Sequence, residues 1–298
     1  MNSLGDSAEL KILQGVHGHD KAYHLPCTNA KAVVVFYPGD QLQDRSLPAE
    51  VLRLQDPHNQ ARIMAKKFPG ATIYVVMPSR LEAGCACFDH FLNKTTQTGE
   101  PLGYQGSSFK ACSQLWSLLK HAGSWKEGAN QPIIHLVGFS KGGVVLNQVL
   151  SELACFADLA AAGGSPSSAQ QAPQGASPAV SATTEAQLPQ PMSAFLQAIA
   201  QLHFLDVGLN SRGAYMTDAR VIASLGRQVQ QPRLQIFLHG TPRQWDDARR
   251  PWIPQEKNMF VRLLDSSGVL VVEHKYFKGQ EPSLLMHFEV IDAMRVDL

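Results

Sequence analysis

Gly138-Phe139-Ser140-Lys141-Gly142 stands between an apolar run, Ile133-Ile134-His135-Leu136-Val137, and a second apolar run over 144–150. Strand, G-x-S-x-G, helix is the pattern of a nucleophile elbow. A strand that turns at once into a helix holds its turn residue in a strained backbone conformation and lifts the serine hydroxyl clear of the sheet edge. Gly138 and Gly142 suit the turn because a Cβ at either would meet a neighbouring strand or helix. The chemistry served is acyl transfer: Ser140 Oγ attacks a carbonyl carbon, and the N–H of the next residue, Lys141, points to where the oxyanion forms. A glycine-rich turn that only packs, or that holds a phosphate at a helix start, uses the same residue types. No G-x-x-x-x-G-K-[ST] string is present, so a Walker-type phosphate loop is unsupported.

A serine nucleophile needs a base, an acid that orients the base, and oxyanion donors. In the chain order Ser, Asp/Glu, His, the base follows the last strand. His287 meets that requirement, in a loop after the apolar run 269–277 and just ahead of a final helix. His274 lies inside that run and His239 ends the preceding one, which makes both weaker rivals. Two carboxylates compete as the acid. Asp206 ends a strand in Leu205-Asp206-Val207-Gly208, and Asp247 lies in the loop after the next strand. Either has other uses, as a helix cap or as a partner of Arg243, Arg249 or Arg250, and sequence does not separate them. Further oxyanion donors are expected from Tyr37-Pro38-Gly39-Asp40, where Gly39 or Asp40 would supply a second N–H beside that of Lys141.

These side chains must be carried by a sheet. Ala32 to Tyr37 is a short β-branched run ended by Pro38-Gly39, as in a strand buried on both faces. Beyond it, spacing predicts helix over 57–68, strand over 72–77, helix over 109–121, and the elbow strand with a helix to about 159. Strand 202–206, helix 218–225, strand 234–238, helix 255–264, strand 269–277 and a helix from 288 complete the alternation. Repeated βα units predict a doubly wound, mostly parallel sheet with helices on both faces, of the α/β-hydrolase type. Weaker strand patterns at 10–16 and 22–25 predict an antiparallel edge. One domain over 1–298 is expected, interrupted at about 160–191 by an Ala/Ser/Gln/Pro/Gly-rich insertion with a single charge, Glu185. That composition predicts a disordered surface segment, because it cannot bury enough apolar area to offset its ordering entropy.

The chain has 298 residues and a formal net charge of +1, without a Lys/Arg-rich run that would suit nucleic acid or an anionic membrane. Its five cysteines are an odd, sparse set, read as free thiols in a reducing compartment. Cys85-x-Cys87-x-x-His90 and His17-x-His19 lack a second pair at zinc spacing, so no metal is assigned. No stretch is read as a transmembrane segment. The first residues resemble neither a secretory signal nor a transit peptide, which predicts an intracellular soluble protein.

Several segments together resemble one family, the α/β-hydrolase-like family of the human chromosome-two open-reading-frame-sixty-nine protein. They are Phe36-Tyr37-Pro38-Gly39-Asp40, Ser79-Arg80, Cys87-Phe88-Asp89-His90-Phe91, the elbow running on to Gln148, Leu205-Asp206-x-Gly208, His239-x-Thr241-Pro242-x-Gln244 with Asp247, Trp252-Ile253 and His287-Phe288. Ser140, Asp206, Asp247 and His287 fall on family motif positions, which disfavours Asp246 and leaves the acid open. The Gly-rich stretch after the Leu-Asp-x-Gly element is thinner here. The resemblance implies a mitochondrial location, with the cytoplasm as the alternative, and supplies no known substrate. The expected function is a serine hydrolase of esters or thioesters, lipid-derived ones included, that needs no cofactor and takes a small-molecule acyl substrate. The alternatives are a hydrolase-fold protein that works as a catalytically inactive binding or regulatory partner and, less favoured, a nucleotide- or phosphate-binding protein.

Overall fold

A computed structural model describes residues 8–44, 46–126, 128, 131–163, 190–227 and 234–296. The chain begins with strands β1 (Glu9–Gln14), β2 (His19–Leu25) and β3 (Ala32–Tyr37), then helices α1 (Ala49–Gln55) and α2 (Pro57–Lys67). Strand β4 (Ala71–Val76), the short ribbon β5 (Arg80–Glu82) and β6 (Cys85–Cys87), and helix α3 (Lys110–His121) follow. The elbow strand β7 (Ile133–Phe139) leads through a single 3₁₀ turn (Ser140–Gly142) into α4 (Gly143–Gly163). The second half contains α5 (Gln190–Ala198), β8 (Ile199–Leu205), α6 (Ala219–Gly226), β9 (Gln235–Gly240), α7 (Pro242–Trp245), α8 (Trp252–Ser266), β10 (Leu270–Lys275) and α9 (Leu284–Ala293).

Local chemistry explains several of these boundaries. Helix α2 starts where Asp56 accepts a hydrogen bond from the Asn59 N–H and Pro57 takes the first helical position. It stops ahead of Pro69-Gly70, as the sequence predicts. Strands β3, β4 and β8 are buried almost throughout because both of their faces are covered. Val33, Val35 and Tyr37 join one core with residues of α3, α4, α6 and α8. Val34 and Phe36, their alternate neighbours, join a second core with residues of α1, α2 and α9.

The sheet order is β1-β2-β4-β3-β7-β8-β9-β10. Strand β2 runs antiparallel to β1 and β4, and the pairs from β4 through β10 are parallel. This is the α/β-hydrolase-like, doubly wound sheet with its antiparallel edge. Its register positions the site. Phe139 pairs with Leu205 across β7 and β8, so Ser140 and Asp206 are the next residues off two adjacent strands. Leu205 in turn pairs with His239 on β9.

Three departures from sequence expectation concern helices α4, α5 and α9. Residues 164–189 of the expected 160–191 insertion lie outside the described residues, whereas 160–163 complete α4 and 190–191 begin α5. His287 lies within the first turns of α9, not in a loop ahead of it. Ser283 caps that helix through the Met286 N–H, starting it four residues earlier than the apolar pattern suggests. Finally, the 23-residue segment Ser140–Ala162 is long and apolar enough to cross a membrane, and 72% of its most apolar window is buried inside the fold. It reads as the core helix that it is, packed between the sheet and helices α3 and α6.

Candidate active site

Ser140 follows β7 with φ +51°, the left-handed region that only a well-supported non-glycine residue occupies. The support is close packing of backbone on backbone. A Cβ at Gly142 would lie 2.0 Å from the Tyr37 carbonyl oxygen, and one at Gly39 would lie 2.5 Å from Ser140 Cβ. Only glycine at these two positions lets the β3 loop and the start of α4 close around the serine. Asp206 leaves β8 in the same way, with φ +45°.

His287 joins the two. Its Nε2 is 3.1 Å from Ser140 Oγ, and its Nδ1 is 2.6 Å from Asp206 Oδ2. An acceptor-only carboxylate at Nδ1 assigns the proton to that nitrogen and leaves Nε2 free to accept from the serine hydroxyl. The Asp206 carboxylate is fully buried. It also accepts from the Thr241 N–H at 2.7 Å and the Thr241 hydroxyl at 2.9 Å. Four acceptor sites and three donors satisfy a charge that would otherwise be costly to bury. The imidazole ring packs on Phe139 with centroids 4.7 Å apart, so its orientation is held from the face as well as the edge.

Asp247, the other candidate acid, is not at His287. Arg250 donates to its Oδ2 at 2.9 Å, and the Arg249 N–H donates to its Oδ1 at 2.9 Å. Burial alone would raise the Asp247 pKa, but these arginine contacts outweigh it and hold the pKa below the usual carboxylate value. The physical reason is distance along the chain. Asp206 steps directly off a central strand, whereas Asp247 comes after the extra turn of α7 and faces back onto its own loop. Asp246 is exposed and pairs with Lys275. The rival histidines are also elsewhere. His239 is buried between His203 and Tyr276, and burial pushes its pKa down to about 3. His274 stacks beside it at 5.4 Å.

Of the expected oxyanion donors, Gly39 abuts Ser140 and Lys141 is the second residue of the 3₁₀ turn, whose first N–H groups have no acceptor within the helix. Asp40 acts through its side chain, accepting from the Ala86 N–H at 2.8 Å. It also pairs at 3.2 Å with the Lys141 ammonium, which is buried and donates to the Thr98 carbonyl. Cys87 Sγ lies beside backbone carbonyls and His90 pairs with Asp20, so the Cys85/Cys87/His90 string is dispersed among other partners.

A cavity of about 180 Å³ opens over Ser140 and His287, with Asp40, Arg243, Arg250 and Leu284 in its wall. Phe88 and Trp245, which could have filled that space, are packed away from it. Phe88 lies edge-on to Tyr37, and Trp245 donates to the Tyr215 hydroxyl. Sequence reasoning missed Thr241 and Arg243 as parts of the site. The Thr241-Pro242 pair is a helix-start signal, and it places both residues at the open end of β9, beside Asp206.

Comparison with known proteins agrees with the resemblance carried by the motifs. The C2orf69 family model matches residues 180–270. The chain is 24% identical to the human mitochondrial protein C2orf69, over 97% of this chain and 80% of that protein. It is 25% identical to the Danio rerio homologue, over 87% of this chain and 72% of the other. Among solved structures, the Pyrobaculum calidifontis esterase matches 95% of this chain and 79% of its own, at 13% identity and a TM-score of 0.47.

Proposed function

We propose that this chain is a serine hydrolase that cleaves carboxylic esters or thioesters through an acyl-enzyme. The observation that carries the reading is the unbroken relay Ser140 Oγ, His287 Nε2, His287 Nδ1, Asp206 Oδ2, with hydrogen-bond distances at both joints beneath an open cavity. Ser140 would attack the carbonyl carbon while His287 takes its proton. The resulting imidazolium would be stabilised by the buried Asp206 carboxylate, which stays ionised. The oxyanion would be met by the N–H of Lys141 and by one from the Gly39-Asp40 loop. His287 would then protonate the departing alcohol or thiol, and water activated by the same ring would release the acid. None of these steps calls on a metal or an organic cofactor.

A hydrolase-fold protein without catalysis could leave the histidine turned away or the space above the serine filled. Here His287 reaches Ser140 and the space above it is open, which supports catalysis over a binding-only role. Hydrolysis of p-nitrophenyl acetate by the purified protein tests the reading: wild type should exceed Ser140→Ala at least ~10³-fold. Equal rates would remove it. The mitochondrial label in the relatives' names extends to this chain as part of the same proposal. Fractionation of cells expressing a tagged full chain should recover it with mitochondria, and recovery in the cytosol alone would withdraw that part.

A further inference from the structure

The charges around the cavity are sorted unevenly. On one side the buried Lys141 ammonium sits between Asp40 at 3.2 Å and Glu100 at 3.8 Å, so that cation is fully answered. Ser211 donates to the Glu100 carboxylate as well, at 2.6 Å. On the α7 side two arginines stand together. Arg250 is held by Asp247 and by the Gln244 amide oxygen at 2.9 Å. Arg243, half-buried in the cavity wall, has no hydrogen bond and no ion pair among the described residues. The nearest carboxylates are committed elsewhere, Asp206 to Thr241 and His287, Asp247 to Arg249 and Arg250. Burial first, and then the Arg250 charge, lower the Arg243 pKa from its ordinary value, outweighing the opposite pull of Asp206 and Asp247.

We propose that Arg243 receives an anionic group of the substrate, a carboxylate or phosphate carried within a few bonds of the ester or thioester that Ser140 attacks. A guanidinium cannot shed its charge at physiological pH, and its planar fork matches the paired oxygens of either anion. A partly desolvated arginine with no partner is costly to keep unless a ligand supplies one. The cavity is small, about 180 Å³. A group that enters it therefore keeps its anion close to the reacting carbon, and a long acyl chain is not enclosed. The turnover half of this inference rests on the hydrolase reading; the binding half does not.

Two measurements separate them. The first uses Ser140→Ala protein, which cannot turn over, and follows its melting midpoint with succinate or inorganic phosphate against chloride at equal ionic strength. Arg243-dependent binding predicts a rise of at least about 2 °C with one of the two anions, which also identifies the preferred chemistry. The rise should vanish in Ser140→Ala/Arg243→Gln and survive in part in Ser140→Ala/Arg243→Lys, each first compared in chloride to establish that it folds. The second compares p-nitrophenyl hemisuccinate with p-nitrophenyl acetate. The ratio of their kcat/KM should fall at least about tenfold from wild type to Arg243→Gln. No stabilisation by either anion, equal stabilisation in the Arg243→Gln protein, or an unchanged ester ratio would overturn the proposal while leaving hydrolysis intact. Arg243-dependent stabilisation with no hydrolysis of either ester would instead uphold the anion site and remove the enzyme.

Discussion

Ser140 and Asp206 leave paired positions at the ends of β7 and β8, and both turn into the left-handed region as they do so. Parallel register explains their closeness better than any motif does. Two side chains one step past a matched pair must emerge side by side at the carboxyl edge, and His287 needs only to bridge them. The same geometry divides the two aspartates, which sequence left equal. Asp206→Asn removes the acceptor that fixes the His287 tautomer and should lower kcat by about 10³–10⁴-fold. Asp247→Asn loosens Arg250 and should cost less than about tenfold in kcat. Steady-state kinetics on both variants checks this, and the reverse order would assign the acid to Asp247. Ser140 and His287, the proposed nucleophile and base, could be picked out from the sequence, because an elbow and a histidine after the last strand are local signals. The acid was not, since its assignment depends on where a loop folds back.

At the scale of elements, α3 shows how a distant carboxylate can start a helix. Phe109 precedes it in the left-handed region at φ +48° and offers no side-chain cap. The missing acceptor comes from Glu152 on α4, whose two oxygens take the N–H groups of Ala111 and Cys112 at 2.9 and 2.7 Å. Gln148 holds the same carboxylate at 2.7 Å. Glu152→Ala should therefore lower unfolding free energy by about 2–3 kcal/mol in urea titration, by leaving two buried donors unanswered. A loss under about 0.5 kcal/mol would contradict the assignment. Sequence patterns found the long strands and most helices because each is apolar with a regular period. They missed α1, α5, the β5–β6 ribbon and α7, which are short and are held by contacts from elsewhere. The Asp40 carboxylate, for example, bonds the β6 backbone at Ala86. The antiparallel edge was visible as two weak alternating patterns.

For the whole molecule, the underside of the sheet carries one histidine on each of four adjacent strands: His135, His203, His239 and His274. Their rings stack among themselves and against Phe68 and Phe237. Burial lowers His135 to about 4 and His239 to about 3, and drives His203 well below its ordinary value. The unfolded chain then binds more protons than the folded one as pH falls below 6.5. Their stabilisation is complete above that pH and is lost progressively towards pH 4 and 3. Glu152 acts in the opposite sense, since burial pushes it up to about 7 and its stabilisation declines as pH rises from 4.5 to 7. Three depressed histidines outweigh one raised carboxyl, so the urea midpoint should be lower at pH 5 than at pH 7.5. Replacing His135 and His239 with phenylalanine should flatten that difference, and a higher midpoint at pH 5 would contradict the balance. None of this was legible beforehand, because a histidine inside an apolar run shows its burial only once both faces of its strand are covered.

The proposed chemistry requires an activated Ser140, and a fluorophosphonate probe reports that directly on the intact protein. Wild type should be labelled at Ser140, located by peptide mass, and labelling should disappear in Ser140→Ala and His287→Ala. A folded wild type that stays unlabelled, or labelling that persists in Ser140→Ala, would contradict an activated Ser140.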